Sequence, residues 1–465
     1  MSVFARDVLS RLPLAEGILT VWHWLAEDTF LNTLFAEHRG RCYEKELSFA
    51  TLVQLIHEVL IGANNSANER FNMARTNGQL EVHGSAVYQK LGRLPLPLSA
   101  AFLAGCTQRL RDVIPESPAE VLPACLDAFT VVAMDGKTIK NVAKRLKATR
   151  VLTGRLLGGR ALVAQDIRSG LAIGMHGDAD GEANDVRFVP DLVPAMRAQV
   201  GTPILWVADA QFGFPEVLAT QSSQTDRFLV RYHGNVKFTP DAQRPNRSAT
   251  DAKGRAFTEQ WGWLGGPKNE HRRYVRRIRL ELETGKPLVL VSDLLDGELY
   301  PAMDLLEVYR RRWGIENVFQ QITEVFGLAR LIGHTPEATV FQLSFCLVLY
   351  NVIQAIRCYV AQTGNCAVPQ VSGEKVFRDV KKELISWRTV LTAHETLTCF
   401  AEVPSREHAR RRLQELLGGL WRPHWAKAKP KKKATPHPTR AYRRGEHKSI
   451  ARVLAQQKQI DRPVT

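Results

Sequence analysis

The sequence predicts an α/β protein: a mixed sheet with flanking helices, interrupted by a β-rich insertion, preceded by a helical N-terminal region and followed by a basic tail. Three observations carry that prediction. Apolar residues recur at three- and four-residue spacing over the first 120 positions, β-branched runs alternate with short helical patterns from Ala128, and lysine and proline crowd the C-terminal end. At 465 residues, with 45% hydrophobic and 24% charged, the composition is that of an ordinary globular protein of several domains.

Taken in order, "LTVWHWLAEDTFLNTLFAEH" and "SFATLVQLIHEVLIGA" have the periodicity of amphipathic helices. Short helices around Gly92 and Pro95–Pro97 read either as a DNA-facing surface or as packing helices. At Ala128 the texture changes. "AFTVVAMDGKTIK" reads as a strand ending at Asp135–Gly136, and "ALVAQDIRSGLAIGMHG" as two strands joined by a turn at Arg168–Gly170. A helix, "NDVRFVPDLVPAMRAQV", leads to a buried strand ending at Asp209, then a short helix at "PEVLATQSS" and a strand at "DRFLVRYHG". Three meander strands followed by alternation open a ribonuclease H-like domain; a purely parallel doubly wound sheet does not begin with a meander.

The polar stretch from 234 to about 285 reads as a β-rich insertion, with strands following at "YVRRIRLELE" and "PLVLVSDLL". "VYRRRWGIENVFQQITEVFGL", Val308 to Leu328, reads as one helix. The next, "VFQLSFCLVLYNVIQAIRCYV", is broken by Gln342, Asn351, Gln354 and Arg357, as befits a buried core helix and not a bilayer span. The predicted organisation is a helical N-terminal domain that binds DNA ends (1–120), a first part of the catalytic core (121–233), the insertion (234–290), a second part of the core (291–375) and a helical C-terminal region with the tail (376–465). His176 and the acids of "MHGDADGE" read as a solvated loop.

Net charge is +16, and Trp421 to Thr465 hold 13 Lys and Arg against 2 Asp and Glu. So concentrated a charge favours a polyanionic partner, because each phosphate neutralised releases counter-ions. Seven scattered cysteines without a C-x-x-C pair point to reduced thiols in a cytoplasm and away from disulfides or zinc. The N-terminus carries acids and no compact apolar region, so it makes a poor signal peptide, and no membrane partner is expected.

Asp135 and Asp209 are predicted at the ends of neighbouring strands, where ligand sites of α/β sheets gather. At about 100° per residue, Tyr309, Arg312, Glu316 and Thr323 fall on one narrow helix face. Three carboxylates are what a two-metal phosphoryl-transfer site requires: hard Mg²⁺ or Mn²⁺ ions, about 3.5–4 Å apart, take oxygen ligands. Arg312 is suited to a bidentate phosphate contact and Tyr309 to a single hydrogen bond.

The motif Y-x2-R-x3-E at Tyr309, Arg312 and Glu316, with Asp135–Gly136 after the first strand and Asp209-x-x-Phe212 after the fourth, resembles the bacterial insertion-sequence transposases of family four, which carry a DDE triad. The likeness runs from about 125 to 360, and "RRWGIENVF" is its most specific part. It implies that Asp135, Asp209 and Glu316 are the triad and ligate two Mg²⁺ (or Mn²⁺) ions, and that Tyr309 and Arg312 contact DNA near the cut. It further implies double-stranded DNA partners (terminal inverted repeats and target), 3′-hydroxyl attack often through a hairpin, a homodimer assembled on DNA, and a nucleoid-associated bacterial protein. Relatives stack an insertion tryptophan on a flipped base, which makes Trp261 and Trp263, in a glycine-bounded stretch read as an exposed loop, DNA-binding candidates. Arg272, Arg273, Arg276, Arg277 and Arg279 would give the following strand a basic face. One departure stands out: the family's lysine seven residues after the glutamate is Thr323 here, with Lys137 and Arg330 as nearby bases to substitute. That departure motivates one rival reading, an inactive or domesticated DNA-binding protein. The other rival is a structure-selective nuclease on the same fold.

Overall fold

The computed structural model describes residues 3–61, 66–115, 121–223, 225–251, 254–282, 285–326, 328, 330–391, 405–427 and 447–460; the most lysine-rich part of the predicted tail lies outside them. The chain begins with helices α1 (Val3–Ser10), α2 (Pro13–Leu25), α3 (Asp28–His38), α4 (Phe49–Ile61), α5 (Ala67–Thr76), α6 (Gly84–Leu91) and α7 (Leu96–Arg111). Their starts have local causes. Prolines stand in the first turns of α2 and α7, where a missing N–H costs nothing, and Ser66 caps α5 by accepting the Glu69 N–H.

Next come β1 (Thr130–Val142), α8 (Lys147–Arg150), β2 (Arg155–Asp166), β3 (Ala172–Asp178), α9 (Val189–Gln199), β4 (Ile204–Ala208), α10 (Pro215–Gln221) and β5 (Arg227–Arg231). β1, β2 and β3 form an antiparallel meander, and β4 and β5 add in parallel on the other side of β1. The order β3-β2-β1-β4-β5 is the ribonuclease H-like arrangement the sequence predicts. Strands β6 (Phe238–Pro240), β7 (Arg247–Thr250), β8 (Ala256–Leu264), β9 (Arg273–Leu280) and β10 (Leu288–Ser292) follow. β10 pairs antiparallel with β5, and β9 and β8 continue outward, so the polar stretch extends the same sheet.

The remaining elements are α11 (Ala302–Arg311), α12 (Gly314–Glu324), α13 (Pro336–Thr363), α14 (Gly373–Val390), α15 (Arg406–Leu417), β11 (His447–Ser449) and α16 (Ile450–Ile460). α13 is long and apolar enough to cross a membrane, yet its apolar window is wholly buried inside the protein. The N-terminal helices share its core: Phe49 meets Phe341, and Phe102 stacks on Phe345. Glu383 of α14 accepts the backbone N–H groups of Leu14 and Ala15, donors that the start of α2 leaves unpaired. All six described cysteines are free thiols.

Alternation along the strands decides where a site can form. Val132 and Met134 of β1, with Trp206 and Ala208 of β4, face the core shared with α9 and α13; Val131, Ala133, Leu205 and Val207 face a second core closed by α11. Asp135 and Asp209 continue the second set, so both turn toward α11.

Two predicted boundaries are corrected. Asp135 does not end its strand: β1 runs on to Val142 because its other edge stays paired with β2, where Asp135 lies opposite Val163. What ends is the parallel pairing with β4, whose last pair is Ala133 with Val207, and the two acids lie two residues beyond it. The helix predicted over 308–328 is also two helices. α11 buries Leu305, Leu306 and Tyr309 in one core, and α12 buries Ile315, Val318 and Ile322 in the other. A straight helix cannot serve both faces of a sheet. The chain therefore bends at Arg312–Trp313, where the Arg312 N–H reaches Tyr309 O at 3.2 Å and the Trp313 N–H reaches Arg310 O at 3.3 Å in place of α-helical bonds.

Candidate active site

The bend sets Arg312 beside Asp135, just past the point where β1 and β4 stop pairing. Its guanidinium lies 3.7 Å from Asp135 Oδ2 and 3.4 Å from Glu316 Oε1, so it stands between the two carboxylates. The side chain is only 6% exposed, whereas that of Glu316, in the first turn of α12, is 47% exposed. Each aspartate has one oxygen fixed by backbone: Asp135 Oδ1 accepts the Gly136 N–H at 2.8 Å, and Asp209 Oδ1 accepts the Gln211 N–H at 2.9 Å while capping a short 3₁₀ turn. The structure thus brings the three predicted acids and Arg312 to one place, with Tyr309 buried alongside.

Their charges are felt. Burial pushes the Asp135 carboxyl up to about 6; the Gly136 N–H and Arg312 oppose this, and the negative charges of Asp209 and Glu316 add to it. Burial also raises the Tyr309 hydroxyl, against the Arg312 charge. Arg312 Nε and Nη1 are buried without a hydrogen-bond acceptor. Two buried donors lacking acceptors beside a carboxyl crowded by like charge suit a bound anion and nearby cations. The donor set is carboxylate oxygen throughout, which suits hard divalent ions. As the side chains stand, no group of three Asp, Glu, His or Cys among the described residues is placed to hold a metal ion, because Arg312 takes up the space between Asp135 and Glu316.

The departure at Thr323 has a local answer. Lys137, two residues beyond Asp135 on β1, donates from Nζ to Thr323 Oγ1 at 2.8 Å and to Phe319 O at 3.3 Å. An ammonium therefore stands beside the helix position where the resemblance expects a lysine. Arg330, the other base considered, is exposed.

The tryptophans separate. The stretch read as a loop is strand β8, and its turn comes only at Gly265, with φ +99. Trp261 is 1% exposed, with its indole N–H on Leu295 O at 2.8 Å, so it has no free face for a base. Trp263 is 40% exposed, packed edge-on against Tyr274 with Arg272 over its ring. The basic face predicted for the next strand is also corrected: Arg276 is buried on Glu259, Arg277 bonds Gln260 and Arg279 pairs with Glu281. Nor is "MHGDADGE" merely solvated, since Asp180 and Glu182 bind Arg452 of α16.

Sequence reasoning missed a supporting trio. Asp185 is buried in a bidentate pair with Arg160 and accepts from Gln211 Nε2 at 3.2 Å, which ties β2 to the turn that carries Asp209. It also explains Gly136: any Cβ there would stand 2.1–2.2 Å from the Asp185 carboxyl. The one available signal was an acid, Asp185, directly after Asn184, which by itself caps the turn.

The sheet order, with the acidic cluster where β1 and β4 part, defines an α/β domain of ribonuclease H-like topology. Residues 127–352 match the family described as Transposase DDE domain, which supports a DDE-type transposase and, with it, nuclease and transferase activity on DNA. No curated protein matches the sequence. Among solved structures, a cryo-EM piggyBac transposase synaptic complex with hairpin DNA is distantly similar, with 10% identity over 86% of this chain and 85% of that one and a TM-score of 0.39.

Proposed function

We propose that this chain is the transposase of a bacterial insertion sequence, which cuts at terminal inverted repeats and joins the freed ends to target DNA by two-metal phosphoryl transfer. One observation supports this reading above the others: Arg312, buried, stands between Asp135 and Glu316, and Asp135 feels the charge of Asp209, inside the region that matches the Transposase DDE domain. Asp135, Asp209 and Glu316 would hold two Mg²⁺ or Mn²⁺ ions. When bound, such ions activate the attacking oxygen and stabilise the leaving one.

The chain's own residues do the positioning. The Gly136 and Gln211 amides fix one oxygen of each aspartate, so the second oxygens are presented without rotamer loss. Arg312, its buried donors unpaired, leaves Asp135 and Glu316 for a DNA phosphate and forms a bidentate contact beside the cut. Tyr309 packs against Arg312 and holds it in line. Trp263 is the tryptophan left to stack on a base, and two copies of the chain would pair the two DNA ends. Lys137 beside Thr323 supports an active enzyme over an inactive one.

The test uses duplex DNA from the ends of the element that carries the gene, with Mg²⁺ or Mn²⁺. Asp135→Asn, Asp209→Asn and Glu316→Gln are each expected to lower nicking by at least about 10³-fold while end binding persists, since metal ligation and docking use different groups. Unchanged nicking in any one variant removes that residue from the site. Hydrolysis without strand-transfer products would assign a nuclease instead.

A further inference from the structure

Between Asp135 and Asp166 the sequence holds eight lysines and arginines and no acid: Lys137, Lys140, Lys144, Arg145, Lys147, Arg150, Arg155 and Arg160. The fold lays this run along the far half of β1, through α8 and back into β2, leading directly away from the acidic site. Arg160 is spent on Asp185. Lys140, Lys144, Lys147 and Arg150 are exposed and form no ion pair among the described residues. A charge run of this kind is ordinarily a solvated face. What sets it apart is the cavity where it begins.

That cavity, of about 360 Å³, is walled by Gly136, Lys137, Lys140 and Asn141 of β1 and by Phe319 and Thr323 of α12. Lys137 stands at its inner end with three N–H groups, of which two go to Thr323 Oγ1 and Phe319 O. Thr323 has no donor left for a phosphate, because its hydroxyl donates to Phe319 O at 2.6 Å and accepts from Lys137. One donor of Lys137 remains for a ligand in a cavity that carries a second lysine and no carboxylate. β1 thus bears the acid of the candidate active site and, two residues on, an oriented cation.

We infer that this cavity is a phosphate-binding subsite for a DNA strand leaving the acidic site, with Lys137 as its fixed contact and Lys140, Lys144 and Lys147 as the track that carries the backbone onward. The inference rests on the DNA-processing reading above. It makes Lys137 a positioning residue: it holds the strand, and the reacting atoms lie elsewhere. It also makes Thr323→Lys by itself unfavourable, since a second ammonium would be set against the first.

The experiment measures binding of a labelled duplex from the DNA directly flanking the gene, by anisotropy across a salt series, together with nicking of the same duplex. Lys137→Gln and Lys140→Gln should each lower the slope of log K against log salt by about 0.9, the value for one neutralised phosphate. Lys137→Thr combined with Thr323→Lys should recover the slope that Lys137→Thr alone loses, a recovery that a packing role for Lys137 would not produce. Should Lys137 variants fail to fold, the exposed Lys140→Gln and Lys147→Gln carry the same test. Unchanged slopes in folded variants, with wild-type nicking intact and Asp135→Asn inactive, would overturn the subsite and leave the transposase reading standing. A wild-type protein that neither binds nor nicks this DNA with metal present would defeat that reading, and the subsite with it.

Discussion

A carboxyl held at about 6 is a stability statement about Asp135. Its folded pKa lies above the ordinary carboxylate value, so the stability it contributes is fully present below about pH 4 and is lost as pH rises through about 6. A displacement of about two units corresponds to roughly 3 kcal/mol of penalty for the ionised form in the cation-free protein. Asp135→Asn should therefore melt above wild type at pH 8 in EDTA and level with it at pH 4, and added Mn²⁺ at pH 8 should raise wild type more than the variant. Equal melting at both pH values would mean that neither burial nor the neighbouring acids penalise the ionised carboxylate. At this scale the convergence of the three acids was legible, because carboxylates after β-branched runs and on a helix face are local patterns. The fate of Trp261 was not: its indole N–H is satisfied by Leu295, a partner that no local pattern around "EQWGWLGG" names. Asp185 was hidden for the same reason, since its meaning comes from Arg160 and from a glycine on another strand.

The bend between α11 and α12 belongs to the element scale. Helical spacing put Tyr309, Arg312 and Glu316 on one face, and they do share the site, but spacing carries no information about two cores on opposite faces of a sheet. Those cores, rather than Gly314, make the break. Gly314 is absent from the positive-φ glycines, and a Cβ there would find its nearest atom, Gln165 Oε1, at 3.5 Å, an ordinary contact. Gly314→Ala is accordingly expected to preserve nicking and to raise stability by about 0.5–1 kcal/mol through the unfolded chain and helix propensity. A variant that loses nicking at unchanged fold would instead show that the glycine's own freedom sets Arg312 in place. The same logic covers β1: its parallel partner β4 ends at Ala208 while its antiparallel partner β2 continues, so Asp135 emerges mid-strand where sequence alone suggests a strand end.

Across the whole molecule, the described end of the chain is tied into the sheet. β11 pairs in parallel with β2 at Arg155–Leu157, Ile450 is fully buried against Val142 and Leu156, and Arg452 binds Asp180 and Glu182. The basic balance of the last 45 residues was legible from composition; this docking was not, because a three-residue strand has no periodicity and its edge partner lies almost 300 residues earlier. Deleting 447–465 removes a buried isoleucine and its strand pairing, and should cost about 2–4 kcal/mol in thermal or denaturant unfolding. Changing Lys429, Lys431, Lys432 and Lys433 to Gln removes four positive charges and keeps the chain's length. It should leave melting unchanged while flattening the salt dependence of DNA binding by up to about 0.9 for each phosphate no longer neutralised. The two variants therefore separate anchoring from attraction. A deletion that leaves stability unmoved would show that β11 and α16 do not hold to this sheet in solution, and an unaltered salt slope after neutralisation would assign the lysines a task other than holding DNA.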